Sequence, residues 1–226
     1  MPDTKTAPLF APVADKYKRF ALPLAVAVLV IFHAVGFWGM MFSGSPEYFQ
    51  RLTPMNLLLT NTLLFSFHRH WSAHFILFAL VVFAVGFFSE VVGVHTGIIF
   101  GDYVYGEALG LKVWEVPLLI GLNWLMLVYV TGVISNKLTL PWIGKGALAA
   151  LLMVILDFFI EPVAMAFDFW SWRGGEIPLS NYAGWFGIAL LLQLYFQKAE
   201  FSKQNALAPY VYLVQLLFFL CIGVLL

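Results

Sequence analysis

Charge is the scarcest property of this sequence: only 11% of its residues are Asp, Glu, Lys or Arg, whereas 62% are hydrophobic. Soluble domains carry about 25% charged residues and about 45–50% apolar ones. The composition therefore excludes a soluble globular protein and predicts an integral membrane protein. Twelve basic residues balance twelve acidic ones, so the chain also lacks the basic excess typical of proteins that bind nucleic acid.

Cysteine and histidine are scarce as well. The single Cys221 excludes a disulfide framework and a thiolate metal cage. Five histidines are too few and too scattered for the histidine clusters of membrane di-iron enzymes, and we interpret His68, His70 and His74 as residues of the membrane interface. The last apolar run has no lysine for a Schiff base, which argues against a retinal photoreceptor. We therefore expect no metal.

Long apolar runs, in contrast, are abundant. A helix needs about 20 residues to cross a hydrocarbon layer about 30 Å thick. The runs cover residues 20–42, 54–68, 72–93, 115–135, 143–165, 181–199 and 206–226. We expect an all-α integral membrane protein with a polar tail over residues 1–19 and one transmembrane domain over residues 20–226. This domain is a bundle of about seven helices with two ordered outer loops, and run 54–68 is short for a full crossing.

The basic residues predict how this bundle is oriented. Loops rich in Lys and Arg stay in the cytoplasm. With the N-terminus inside, the cytoplasmic side collects nine basic residues and the outer side only Arg51, Lys112 and Arg173. We therefore expect a multi-pass protein of the cytoplasmic membrane, with a cytoplasmic N-terminal tail rather than a signal peptide and an outer C-terminus.

Polar side chains inside the predicted spans gather toward the outer side. At 1.5 Å per helical residue, six of them fall in the outer half of the bundle: His33, Asn61, Glu90, Asn123, Asp157 and Glu161. Inserting an ionisable residue into a membrane span costs about 2.5–3.5 kcal/mol of free energy, so such a residue indicates a functional site. The loops 94–114 and 166–180, which are rich in aromatic and acidic residues, are expected to cap this region.

Asp157 and Glu161 form the most specific pair. A spacing of four residues places both carboxyl groups on one helix face, one turn apart. Two such groups in a low dielectric do not both ionise, and a protonated acid beside a carboxylate is a general acid and base pair. A structural ion pair is the alternative interpretation, and an aromatic belt is the alternative for Trp170 and Trp172.

Several spaced motifs, together covering roughly residues 25 to 200, resemble the membrane carotenoid biosynthesis proteins, a family that includes carotenoid 1,2-hydratases and bisanhydrobacterioruberin hydratase. The motifs are Glu90-x-x-Gly93-x-x-Thr96-Gly97-x-x-Phe100-Gly101-x-Tyr103-x-Tyr105, Gly110, Val116-Pro117, Trp124, Asp157-x-x-x-Glu161-Pro162, Trp170-x-Trp172, Ile177-Pro178 and Asn181-Tyr182-x-Gly184-Trp185. The resemblance implies a cofactor-independent lyase. Such an enzyme adds water to the terminal double bond of an acyclic carotenoid, lycopene-like or bisanhydrobacterioruberin-like, and leaves a tertiary alcohol.

The chemistry of hydration assigns roles to these residues. It needs an acid, a pocket for a tertiary cation and a base that activates water. We expect either Asp157 or Glu161 to be the acid. The base is then the other member of this pair or Glu90. Asp168 is the next acid to test. The remaining candidates bind substrate, stabilise the cation or orient water: His95, Asp102, Tyr103, Tyr105, Asn123, Trp124, Trp170, Asn181 and Trp185. The polyene itself requires a channel open to membrane lipid.

Two other functions use similar residues. A carotenoid cyclase or isomerase needs the same acid but excludes water from the cation. A proton-coupled transporter also needs buried carboxyl groups beside a proline in a helix. The transporter is disfavoured because the sequence has no inverted repeat and few polar residues in the cytoplasmic half of the predicted bundle.

Overall fold

A computed structural model describes the backbone of residues 11–226 and the side chains from residue 20 onward. Residues 1–10 of the predicted tail lie outside the described residues. The helices are α1 Ala11–Phe42, α2 Pro46–Gln50, α3 Thr53–Ser66, α4 Ala73–Thr96, α5 Leu118–Asn136, α6 Trp142–Ala166, α7 Leu179–Lys198 and α8 Ala208–Leu225. The strands are β1 Tyr103–Tyr105, β2 Lys112–Val113, β3 Val116–Pro117 and β4 Trp170–Trp172. The prediction of an all-α membrane protein is confirmed.

Five helices in the described part of the chain are long and apolar enough to cross a membrane, which makes this a multi-pass membrane protein. The five segments are Phe20–Phe42, Ala73–Thr96, Leu118–Asn136, Trp142–Ala166 and Ala208–Leu225. Helix α3 has 14 residues and is about 21 Å long, which is shorter than the hydrocarbon layer of about 30 Å. Helix α7 has 20 residues, enough for about 30 Å, but it is less apolar than the five.

The helix boundaries follow local sequence signals. Pro117, Pro141 and Pro178 directly precede α5, α6 and α7, because proline lacks the N–H that a helix interior requires. The Ser72 hydroxyl accepts a hydrogen bond from the Phe75 N–H and caps α4. Helix α4 ends at Gly97, whose φ of 66° lies in the left-handed region that glycine adopts readily.

Helix α5 is the centre of the bundle. It contacts α3, α4, α6, α7 and α8, and most of its side chains are buried. Such a helix is apolar on all sides, so its own polar groups have to find partners inside the protein.

The two predicted outer loops pair with each other. Strand β1 in the loop after α4 runs antiparallel to strand β4 in the loop after α6, with Tyr103 opposite Trp172 and Tyr105 opposite Trp170. Strands β2 and β3 form a second, shorter antiparallel pair. The β1–β4 ribbon lies over the ends of α4 and α6 and closes this end of the bundle.

Candidate functional site

Three buried carboxyl groups, which we call the carboxyl cluster, lie near one end of the bundle. Glu90 lies six residues before the end of α4, whereas Asp157 and Glu161 lie nine and five residues before the end of α6. Each of the three is at most 3% exposed. Helices α5 and α7 begin at this same end. Trp124 in the first two turns of α5 and Asn181 in the first turn of α7 therefore lie beside the cluster.

Glu90 accepts three hydrogen bonds. Its Oε1 accepts from Trp124 Nε1 at 3.0 Å, and its Oε2 accepts from the hydroxyl of Tyr105 at 2.9 Å and from that of Tyr103. Hydrogen bonds to a carboxylate are among the stronger ones in proteins. Three donors aimed at one carboxyl group therefore fix its position.

Two glycines on the face of α4 that carries Glu90 make these contacts possible. A Cβ at Gly86 would lie 2.4 Å from Cβ of Trp124, and a Cβ at Gly93 would lie 2.6 Å from the Phe100 ring and 2.9 Å from the Tyr103 hydroxyl. Any larger residue at either position would push a donor away from Glu90.

Glu161 is surrounded in the same manner. Its Oε2 accepts from Trp170 Nε1 at 3.0 Å and from Trp172 Nε1 at 2.7 Å, and its Oε1 accepts from Asn181 Nδ2 at 2.9 Å. All the donors here are nitrogen atoms, in contrast to the two hydroxyls on Glu90.

Asn181 links the two carboxyl groups of α6. Its Nδ2 also donates to Asp157 Oδ2 at 3.0 Å, so one amide bridges both members of the pair. The other oxygen, Asp157 Oδ1, is buried and has no hydrogen-bond partner among the described residues. Asp157 therefore accepts one hydrogen bond where Glu90 and Glu161 accept three each.

The β1–β4 ribbon supplies four of the six donors to Glu90 and Glu161. Alternate residues of a strand point to the same side, which aims Tyr103 and Tyr105 on β1 and Trp170 and Trp172 on β4 at the carboxyl cluster. Burial, with the neighbouring Glu90 carboxyl group, raises the pKa of both tyrosines above the ordinary value. Their hydroxyls therefore stay protonated and able to donate.

Glu90 and Glu161 line one small chamber of about 30 Å³, which accommodates about one or two water molecules. Tyr103, Trp185 and Asn123 also line it. Trp185 stacks on Trp124 with ring centroids 4.2 Å apart, which extends the aromatic wall. Asp157 does not line the chamber and lies behind Glu161 and Asn181.

A much larger apolar cavity of about 480 Å³ adjoins the chamber. The two share Ile120, Asn123 and Trp170 as lining residues. The remaining walls come mainly from α1, α3 and α8, with His33 and Gln215 among the few polar groups. An apolar ligand in the cavity would thus reach the carboxyl groups past Asn123.

Three predicted site residues lie outside the cluster. His95 is exposed, with its Nε2 3.8 Å from Glu115 Oε2. Asp102 pairs with Arg173, its Oδ2 lying 3.1 Å from the arginine Nε. Asp168 is exposed and accepts a hydrogen bond from a backbone N–H of the loop after β1. These side chains hold the outer loops, whereas the other ten predicted residues contact or line the site.

Trp172, for which the sequence leaves an aromatic belt as the alternative interpretation, is a site residue that sequence reasoning missed. Its N–H makes the shortest hydrogen bond to Glu161. The signal that could have found it is the spacing of Trp170 and Trp172, which matches the spacing of Tyr103 and Tyr105 and puts each pair on one face of a strand. Phe100, which also lines the chamber, was missed as well.

Comparison with known proteins gives two matches. A family model described as "Carotenoid biosynthesis protein" matches residues 52–226, which include the whole carboxyl cluster and ribbon but not α1 and α2. The chain is 30% identical over 132 residues to a bisanhydrobacterioruberin hydratase of Haloarcula japonica, covering 51% of this chain and 43% of the relative. The matched part thus spans less than half of that relative. No solved structure matches the chain.

Proposed function

This chain belongs to the carotenoid biosynthesis protein family, and on that premise we propose that it is a carotenoid hydratase. It adds water to the terminal C=C of an acyclic carotenoid end group and forms a tertiary alcohol. The observation that carries the proposal is the chamber between Glu90 and Glu161, which joins two buried carboxyl groups, space for water and an apolar cavity. The relative named as a hydratase supports the same reaction.

The apolar cavity would hold one end of the substrate. Its volume of about 480 Å³ suits an end group and part of a polyene, while the rest of the long molecule stays in membrane lipid. The reacting double bond would then lie at the opening of the chamber, beside Ile120, Asn123 and Trp170, with the water inside the chamber. Asn123 lines both spaces and can orient the water with its amide.

The chemistry needs one proton donor and one acceptor. Glu161 gives a proton to the less substituted alkene carbon, which leaves positive charge on the tertiary carbon. The oxygen of a chamber water bonds to that carbon, and the water's extra proton passes to Glu90. The proton returns from Glu90 to Glu161 through water, so the enzyme is unchanged at the end of the cycle. General acid and base catalysis of this kind contributes about 10²–10⁴-fold.

The neighbouring residues support each step. Asp157 lies one helix turn before Glu161 and accepts from the same Asn181 amide, and two carboxyl groups this close do not both ionise, so the pair holds the proton that Glu161 donates. The aromatic rings of Tyr103, Trp170 and Trp185 line the chamber and stabilise the cation. The steps use only side chains, water and protons.

A cyclase or isomerase would use the same acid and differs in excluding water. The chamber volume favours hydration, because it leaves space for water beside the reacting carbon. Expression of the full chain in a lycopene-producing bacterium, with mass analysis of the pigments, separates the alternatives. Hydration adds one water to the pigment, and oxygen-18 enters the product from labelled water. A pigment of unchanged mass but altered structure, or label taken from O₂, would overturn the proposal.

A further inference from the structure

The end of the bundle away from the carboxyl cluster carries a group of lysines. Lys145 lies in the first turn of α6, whose other end holds Glu161, and Lys198 is the last residue of α7, whose first turn holds Asn181. Lys203 follows in the loop to α8. We call Lys145, Lys198 and Lys203 the basic cluster.

Two of the three ammonium groups in this cluster contact neutral oxygens. Lys145 Nζ donates to the backbone and side-chain oxygens of Asn136 at 3.1 and 3.3 Å, and Lys203 Nζ donates to the Gln197 carbonyl oxygen at 2.7 Å. Across residues 20–226, neither lysine has a carboxylate within 4.0 Å. Positive charge is therefore concentrated here without a counter-ion among residues 20–226.

Two further features of this region favour an anionic ligand. Burial, together with the nearby Lys145 ammonium, lowers the pKa of Lys203. The side-chain Nε2 of Gln197 is buried and finds no acceptor in the described part of the chain. Glu200, the acid nearest in sequence, is exposed and forms none of the ion pairs found there.

Apolar surface borders the same lysines. Lys198 Nζ lies 4.2 Å from the centre of the Trp142 ring, and both Trp142 and Ile143 expose large parts of their side chains. Tryptophan is enriched at the level of lipid headgroups. Cationic groups above exposed apolar side chains match a molecule with an anionic head and a hydrocarbon tail.

We propose that the basic cluster binds the phosphate of an anionic phospholipid, with an acyl chain lying along Trp142 and Ile143. Basic pockets between transmembrane helices commonly bind such headgroups. Free phosphate shares the anionic group but gains nothing from the apolar border, so the structure favours a lipid. The site lies away from the carboxyl cluster and does not depend on the proposed reaction.

The test uses the purified full chain in a neutral detergent. Phosphatidylglycerol, phosphatidylcholine and inorganic phosphate are added separately, and bound lipid is counted by native mass spectrometry while the thermal midpoint is recorded. We expect phosphatidylglycerol to bind and to raise the midpoint, whereas the other two additions leave it unchanged. Equal retention of both lipids, or an equal rise with inorganic phosphate, would overturn the proposal.

Single variants then locate the site. Each basic residue near an anionic headgroup contributes about fivefold to binding, so Lys145→Gln and Lys203→Gln should each weaken phosphatidylglycerol binding about fivefold. Lys137→Gln removes the same charge from an exposed residue at the same end of the bundle and should leave binding unchanged. An equal loss with Lys137→Gln would mean a diffuse surface potential rather than a site.

Discussion

Tyr103 lies directly opposite Trp172 in the β1–β4 ribbon, and the two side chains donate to different carboxyl groups. Tyr103 holds Glu90, Trp172 holds Glu161, and their rings contact each other with centroids 5.0 Å apart. The ribbon thus fixes the spacing between the two sides of the chamber. Altering either residue should disturb the proposed acid and base together.

Trp172→Phe tests this role of the ribbon. The variant keeps an aromatic ring beside Tyr103 but loses the N–H that donates to Glu161. A hydrogen bond to a charged group contributes about 1.5–3 kcal/mol, so we expect hydration per folded protein to fall at least about tenfold. The measurement is product formation in isolated membranes, normalised to the folded protein found by size exclusion.

Trp114→Phe is the matched control, because Trp114 is 59% exposed and lies in the same outer loop region. Its rate of hydration per folded protein should equal that of the native protein. If Trp172 belonged only to an aromatic belt, both variants would retain full activity, and the ribbon would have no part in the mechanism.

Gly93→Ala tests the close approach of Tyr103 to α4. The added methyl group would lie 2.6 Å from the Phe100 ring and 2.9 Å from the Tyr103 hydroxyl, and such overpacking costs about 1–3 kcal/mol. We expect a lower thermal midpoint and reduced hydration. Gly187→Ala in α7 is the control, since nothing lies within 4 Å of the added atom. Equal midpoints for the two variants would contradict the packing described here.

Much of the carboxyl cluster could be predicted because its spacing is local. Asp157 and Glu161 lie four residues apart in one helix, and Glu90 precedes Tyr103 and Tyr105 by only 13 and 15 residues. The β1–β4 pairing was not predictable, because three-residue strands carry no clear periodicity and their partners lie 65 or more residues apart. Asp102 and Asp168 were proposed from sequence proximity, but side-chain direction in a loop depends on that pairing.

The tyrosines of the ribbon make a prediction about alkaline pH. Their pKa values are raised above the ordinary value by burial and by Glu90, and that ordinary value is about 10. A raised pKa keeps both hydroxyls protonated, so hydration should show no tyrosine-dependent loss up to about pH 10. Unfolding would release these protons, so stability falls as the pH rises further. A loss of activity below pH 10 that disappears in Tyr103→Phe would contradict this.

The path of the chain predicts opposite locations for two reporter positions. The loop to α8 contacts the end of α3 through Asn205, whose Nδ2 donates to the Leu64 carbonyl oxygen at 2.7 Å. Near the end of α8, a Cβ at Gly223 would lie 3.8 Å from Pro162 at the carboxyl end of the bundle. With a cytoplasmic N-terminus, a reporter at Leu138 should be cytoplasmic and one at Leu226 external. Signals on the same side would contradict the helix arrangement, and reversed signals would contradict the orientation.

The acid pair gives the last prediction, and its two amide variants should differ. In Asp157→Asn the new amide can keep its oxygen toward Asn181 and place its nitrogen where Asp157 Oδ1 has no partner among the described residues. The variant breaks no existing hydrogen bond but buries an unsatisfied N–H donor, so it should fold with a smaller loss of stability than Glu161→Gln. In Glu161→Gln the new amide nitrogen must face either Asn181 Nδ2 or the two tryptophan N–H groups. All of these groups are donors, so donors are left without acceptors. We expect this to lower the free energy of unfolding by about 1–3 kcal/mol.

The hydration rate of these variants separates a catalytic role of the acid pair from a structural one. If the pair carries the proton, the activity of Asp157→Asn per folded protein should fall toward the roughly 10²–10⁴-fold limit of acid–base catalysis. A purely structural pair predicts the reverse: if Asp157 serves only to hold Asn181 in place, the variant lowers the yield of folded protein and leaves the hydration rate per folded protein unchanged. Asp157→Asn with normal folding and a normal hydration rate would remove Asp157 from the mechanism and leave Glu161 and Glu90 as the reacting carboxyl groups.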